Sequence, residues 1–192
     1  MENSLKNMVL TLFIITLIAA TSAGMAYRVT KEPIALAKVA KTISALTQVL
    51  PSFDNDPAAE KQTLDIDGIT VTVYTAKSGE ETVGYAVKSA TKKGFSGEIH
   101  LLLGFLPDGK IHNIQVLQHT ETPGLGSKIT NPNSALVVMF RGNSPADLQM
   151  SVRKDGGDIN AISGATISSR AYIDAVERGY KAMRIISEKS IP

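Results

Sequence analysis

The side chains most able to do chemistry cluster late in the chain, in the run Ser163-Gly164-Ala165-Thr166-Ile167-Ser168-Ser169. A short apolar stretch with Asp158 leads into it, and a long amphipathic helical pattern follows. A tight turn of small residues, then hydroxyls, then a helix start suits an anion. The first N–H groups of a helix lack internal acceptors, and that end carries partial positive charge. Phosphate is a common occupant of such a place. Gly164 and Ala165 permit close approach to the backbone. The bland alternative is a set of helix caps, each contributing about 1 kcal/mol. On these residues alone both readings stand.

A second cluster precedes it: His119-Thr120-Glu121-Thr122-Pro123-Gly124-Leu125-Gly126. Pro123 fixes the entry to the loop, and Gly124 and Gly126 flank Leu125 with permissive backbone. This is no dinucleotide fingerprint, because a third glycine and a surrounding βαβ unit are missing, and it is no P-loop. Physically it is a loop able to line a flat ligand, or a plain turn, which is the commoner case.

In this order, Glu121-Thr122-Pro123-Gly124-Leu125-Gly126 and Ser163-Gly164-Ala165-Thr166-Ile167-Ser168 resemble the two signatures of the FMN-binding domain in the G subunit of the Rnf electron-transport complex. They are similar also to the C subunit of the sodium-translocating NADH:quinone reductase. The resemblance covers roughly residues 94–175 and, more loosely, the N-terminal segments. It implies FMN held covalently, its phosphate esterified to the last hydroxyl of the second signature, here Ser168. Many members have threonine at that position, and serine keeps the nucleophilic oxygen. Ser163, Gly164, Ala165 and Thr166 then line the cofactor from one side, and Glu121, Thr122, Gly124, Leu125 and Gly126 from the other. Thr166 is the main competitor for attachment. Ser163 is expected to bond the backbone of its own turn.

The implied role is electron relay inside a membrane-bound, ion-translocating ferredoxin:NAD oxidoreductase, without substrate turnover of its own. The other subunits of that complex are the implied partners. A separate flavin transferase, with FAD as FMN donor, is the implied maturation enzyme. Two alternatives remain: the C subunit of the quinone reductase, which is usually longer, and an anchored structural module without flavin.

These residues need elements to hold them. The chain has 192 residues, 20 basic and 18 acidic side chains, and a net charge of +2. Basic stripes with interleaved aromatics are missing, which argues against nucleic acid as a partner. Cysteine is absent, which excludes disulfides, thiolate-held iron–sulfur clusters and thioether-linked haem. His100, His112 and His119 show no metal-motif spacing. Redox work therefore requires an organic cofactor or a haem held by other ligands.

Residues 8–27 carry no charge. About 20 residues in a helix span the roughly 30 Å hydrocarbon core of a bilayer. A cleaved signal peptide ending near Thr21-Ser22-Ala23 competes with a retained anchor, but the apolar stretch runs past that point to Met25. Flanking charges barely orient it. The resemblance implies an inner-membrane, single-pass protein with its main domain on the extracytoplasmic, periplasmic side.

Residues 33–50 read as a separate second helix, with Pro33 in its first turn and Leu36, Val39, Ala40, Ile43, Leu46 and Leu50 as a core-facing stripe. Alternating segments then predict strands: 64–66 and 69–74 around an Asp67-Gly68 hairpin turn, 83–87, 99–105 and 113–118. A basic, glycine-containing loop spans 91–97. A short helix is expected over 134–141, a strand over 148–154, and a final helix from Ser169 to about Ser187. On that helix Arg170/Asp174, Asp174/Arg178 and Glu177/Lys181 form a solvated face of i,i+4 pairs.

The fold class is α+β: an N-terminal transmembrane helix, then a mainly antiparallel-sheet domain with flanking helices, which the resemblance implies is an FMN-binding domain. The divisions fall at 1–30 for the anchor, 31–62 for the amphipathic helix and linker, and 63–192 for the domain.

Overall fold

The computed structural model describes residues 2–189. By compactness the chain divides into two units, residues 1–41 and 42–192. The first unit is helical, part of α1 (Glu2–Val49). Its apolar stretch is long enough to cross a membrane and is unburied throughout. Pro33 lies inside this helix and does not begin a new one. A proline removes one ladder hydrogen bond, and helix on both sides carries the interruption.

The second unit begins with the last turns of α1. Here Thr42, Ala45, Leu46, Val49 and Leu50 are buried and Ile43 is exposed; Leu36 and Val39 of the expected stripe belong to the first unit and are exposed. Within the second unit the end of the stripe, Leu46 and Leu50, packs on a sheet.

Five strands form that sheet among the described residues: β1 (Gln62–Ile66), β2 (Ile69–Ser78), β3 (Glu81–Thr91), β4 (Ile99–Phe105) and β5 (Ile111–Gln118). Each pairs antiparallel with the next, in chain order. The expected Asp67-Gly68 hairpin joins β1 to β2, with φ of 56° and 73° at the two turn residues. Successive side chains point to opposite faces, and here both faces are covered. Val71, Val73, Tyr85, Val87, Leu101, Leu103 and Phe105 share one core with Tyr172, Ala175, Val176, Met183 and Ile186 of the final helix, α3 (Thr166–Lys189). Tyr74, Ala76, Ala86, Leu102 and Leu117 pack with Ala45, Leu46, Val49 and Leu50 on the other face.

Three further expectations differ from the structure. The short helix is only α2 (Ala135–Val138), capped by the Ser134 side chain, which accepts from the Val137 N–H. Residues 148–154 form no strand; they fold against their own continuation. Arg153 N–H donates to Ile159 O, Asp158 N–H to Gln149 O, and the Asp158 carboxylate takes the Gln149 N–H. With the backbone satisfied locally, this segment never joins the sheet.

The third correction concerns the charges on α3. Arg170 pairs with Asp155, at 2.7 Å, rather than with Asp174. Asp174 and Arg178 do pair, at 2.9 Å, but against β3, with Arg178 buried and Asp174 half-buried. Arg178 also donates to Ala90 O, and Thr91 and Lys93 donate to the Asp174 carboxylate. Burial alone raises the Asp174 pKa; the hydrogen bonds from Arg178, Lys93 and Thr91 outweigh it and hold the group at about 2.

Candidate functional site

The site forms where α3 begins against two loops that leave the sheet. Helix α3 opens at Thr166, three residues before the expected start. That places Thr166, Ile167 and Ser168 in its first turn. Their N–H groups have no acceptor inside the helix, and among the described residues no loop carbonyl takes them. Gly164 has φ of 74°, the left-handed conformation that turns the chain into the helix.

The four hydroxyls of this run meet different fates. Ser169 is buried and structural: its Oγ accepts from the Ile162 N–H at 2.9 Å and donates to Ala165 O at 2.9 Å. Ser163 is exposed, and its hydroxyl has no hydrogen-bond partner among the described residues. Thr166 is half-buried and faces a cleft. Ser168, 2% exposed, donates to Glu121 Oε2 at 2.5 Å.

Glu121 comes from the loop after β5 and is itself 4% exposed. Its backbone N–H donates to His119 Nδ1 at 3.2 Å, and its Oε1 accepts from the Ser96 N–H at 3.3 Å. Thr120 Oγ1 donates to Ser96 O at 3.0 Å, stitching this loop to the one between β3 and β4. Both carboxylate oxygens are thus held, and no cation forms an ion pair with Glu121 among the described residues. Gly126 seals the arrangement. A Cβ there would lie 2.6 Å from Glu121 Oε2 and 2.7 Å from Ser168 Oγ.

The cleft beside these groups has a volume of about 370 Å³ and is lined by Phe95, Glu121, Thr122, Leu125, Gly126, Gly164, Ala165, Thr166, Ile167 and Ser168. That volume suits a small-molecule site. Phe95, Leu125 and Ile167 are exposed large apolar side chains, at 65%, 46% and 47%. Apolar walls beside orphaned N–H groups match a ligand with a flat ring at one end and a phosphate at the other. The residues present therefore fit FMN.

Of the residues expected from sequence, the structure brings together Ser168, Thr166, Ala165, Gly164, Glu121, Thr122, Leu125 and Gly126. The two loops touch directly, since a Cβ at Gly164 would sit 3.2 Å from Leu125 Cδ2. Ser163 and Gly124 stand outside the lining. Phe95 was missed by sequence reasoning, although a lone aromatic in Gly94-Phe95-Ser96-Gly97 is a signal. Ser96 contributes only through its backbone, which no residue type announces.

Comparison with known proteins agrees with this geometry. Residues 94–181 match the FMN-binding domain family, so the cleft belongs to a flavin-binding module. Over 176 residues the chain is 38% identical to the G subunit of the ion-translocating oxidoreductase complex of Cereibacter sphaeroides, covering 88% of this chain and 80% of that one. Identity to the corresponding protein of Haemophilus influenzae is 36% over 174 residues, covering 86% and 83%. For Shewanella loihica it is 31% over 188 residues, covering 93% and 89%. The chain belongs to the family of G subunits of the ion-translocating oxidoreductase complex.

Proposed function

We propose that this protein relays electrons within an ion-translocating oxidoreductase complex of the Rnf type, through FMN esterified by its phosphate to Ser168. The family membership and the FMN-binding domain support the relay. The single observation behind the attachment point is the first turn of α3, where Ser168 lines the cleft beside unpaired N–H groups. When bound, FMN supplies the redox chemistry through its ring system.

The chain's own residues do the rest. The N–H groups of Thr166, Ile167 and Ser168 meet the phosphodiester charge, and the helix end offsets it by about 0.3–1 kcal/mol. Phe95, Leu125 and Ile167 offer apolar surface to the ring. Thr122 lines the same cleft, and Glu121 holds the Ser168 hydroxyl at the phosphate end. Covalent attachment keeps the flavin in place on the extracytoplasmic side, where the domain sits in this reading and where a lost cofactor is not readily replaced. α1 is the anchor, the other subunits are the electron partners, and a flavin transferase with FAD as donor completes maturation.

Expression with and without such a transferase tests the reading. Yellow colour that survives denaturation only in the presence of the transferase supports it, and its absence in both refutes it. For sidedness, the cysteine-free chain accepts a single reporter. Exposed Lys61→Cys should react with an impermeant maleimide from outside the cytoplasmic membrane; reaction only from the cytoplasmic side refutes the topology.

A further inference from the structure

We infer that Glu121 is the proton acceptor that makes Ser168 the nucleophile during flavin attachment, so that the acceptor chain carries its own general base. This rests on the attachment reading above. Among the four clustered hydroxyls, Ser168 is the one that faces a carboxylate. Its Oγ–H points at Glu121 Oε2 over 2.5 Å. Ser169 spends its oxygen on the Ile162 N–H and the Ala165 carbonyl. Thr166 and Ser163 have no carboxylate partner among the described residues.

The carboxylate is set up for this task. The Ser96 N–H fixes Oε1 and leaves Oε2 to the hydroxyl. With no cation paired to it among the described residues, none competes for the lone pair that takes the proton. Gly126 leaves just enough room for the pair, because any side chain there collides with both oxygens. Such a contact between nucleophile and base, with the base oriented by a third group, is the arrangement that activates a serine.

The step balances without an oxidant or reductant. Ser168 Oγ bonds to the FMN-side phosphorus of FAD as its proton passes to Glu121 Oε2. The bond from that phosphorus to the bridging oxygen breaks, and AMP leaves with that oxygen. The proton on Glu121 is then released to solvent or to the departing phosphate. The geometry also explains the choice of hydroxyl: the modified residue is the one with a base in reach.

The test measures attachment rates by intact mass, using the full-length detergent-solubilised chain, transferase and FAD. Glu121→Gln keeps the shape, with its carbonyl still accepting from the Ser96 N–H and its amide N–H donating to Ser168 Oγ, but takes no proton. It should melt close to wild type and attach FMN at least about 100-fold more slowly, the usual scale for a positioned base. Glu121→Ala should be as slow, and added formate should speed it up, which a purely structural role would not allow. Glu121→Gln loading at the wild-type rate, or Glu121→Ala unaffected by formate, overturns the base role and leaves attachment at Ser168 standing. A wild-type chain that carries FMN on Thr166, or none, removes both.

Discussion

Replacing Gly126 by alanine probes the site through one methyl group. The new Cβ would sit 2.6 Å from Glu121 Oε2, 2.7 Å from Ser168 Oγ and 2.9 Å from Glu121 Cβ. Ordinary contacts begin at about 3.5 Å, so these atoms must retreat by roughly 0.6–0.9 Å. The carboxylate cannot swing away freely, because Ser96 holds its other oxygen. Overpacking of this kind costs about 1–3 kcal/mol. For a chain of this size each kcal/mol lowers the melting temperature by about 2–4 °C.

The larger effect of Gly126→Ala falls on chemistry, since a displacement near 1 Å costs on the order of 100-fold in rate. Gly124→Ala is the control. It has open space around it but φ of 74°, so it strains the backbone by about 1–2 kcal/mol without touching Glu121 or Ser168. Calorimetry and intact-mass time courses on both variants separate the effects. Gly126→Ala should lose both stability and attachment, and Gly124→Ala stability alone. Normal attachment in Gly126→Ala, or equal loss in the two, refutes the reasoning.

Asp174→Asn leaves the buried Arg178 without its carboxylate and should cost roughly 3 kcal/mol in urea denaturation. The acid limb tests the same group. Its folded pKa of about 2 lies below the ordinary value of about 3.9, so its contribution is complete above the latter and lost as pH falls from about 4 to 2; Asp174→Asn should flatten that window in urea melts. Ser169→Ala strands the Ile162 N–H and should cost about 1–3 kcal/mol, read by thermal melting, yet keep FMN at Ser168. Removing residues 1–41 should release a soluble domain with a cooperative melt. Extending the deletion to residue 50 also strips Leu46, Val49 and Leu50 from the sheet and should cost on the order of 5 kcal/mol.

Much of the fold is legible in the chain because its strands alternate cleanly and its turns use Asp-Gly and Pro-Asp-Gly. The failures have physical causes. Residues 148–154 alternate like a strand, but Asp158 supplies a local acceptor that draws the backbone into turns. A run of four hydroxyls contains several possible caps, so sequence placed the start of α3 three residues late. That shift matters for the site. Each helical residue rotates by about 100°, and the true start turns Ser168 toward the cleft and Ser169 into the interior. The two signatures mark both walls of the cleft. The contact that joins them, Glu121 to Ser168, spans 47 positions and leaves no local trace in either segment. Asp174 and Arg178 read as a surface pair because their partners, Ala90 and Thr91, lie across the fold on β3.

The central claim is that Ser168 carries the flavin, and peptide mass spectrometry tests it most directly. Trypsin cuts after Lys154 and Arg170, so residues 155–170 hold every candidate hydroxyl in one peptide. After expression with the transferase, that peptide should gain the mass of FMN less one water, with fragmentation placing it on Ser168. Ser168→Ala should lose the adduct, and Ser168→Thr should keep it. An adduct on Thr166, or one that persists in Ser168→Ala, would contradict the account.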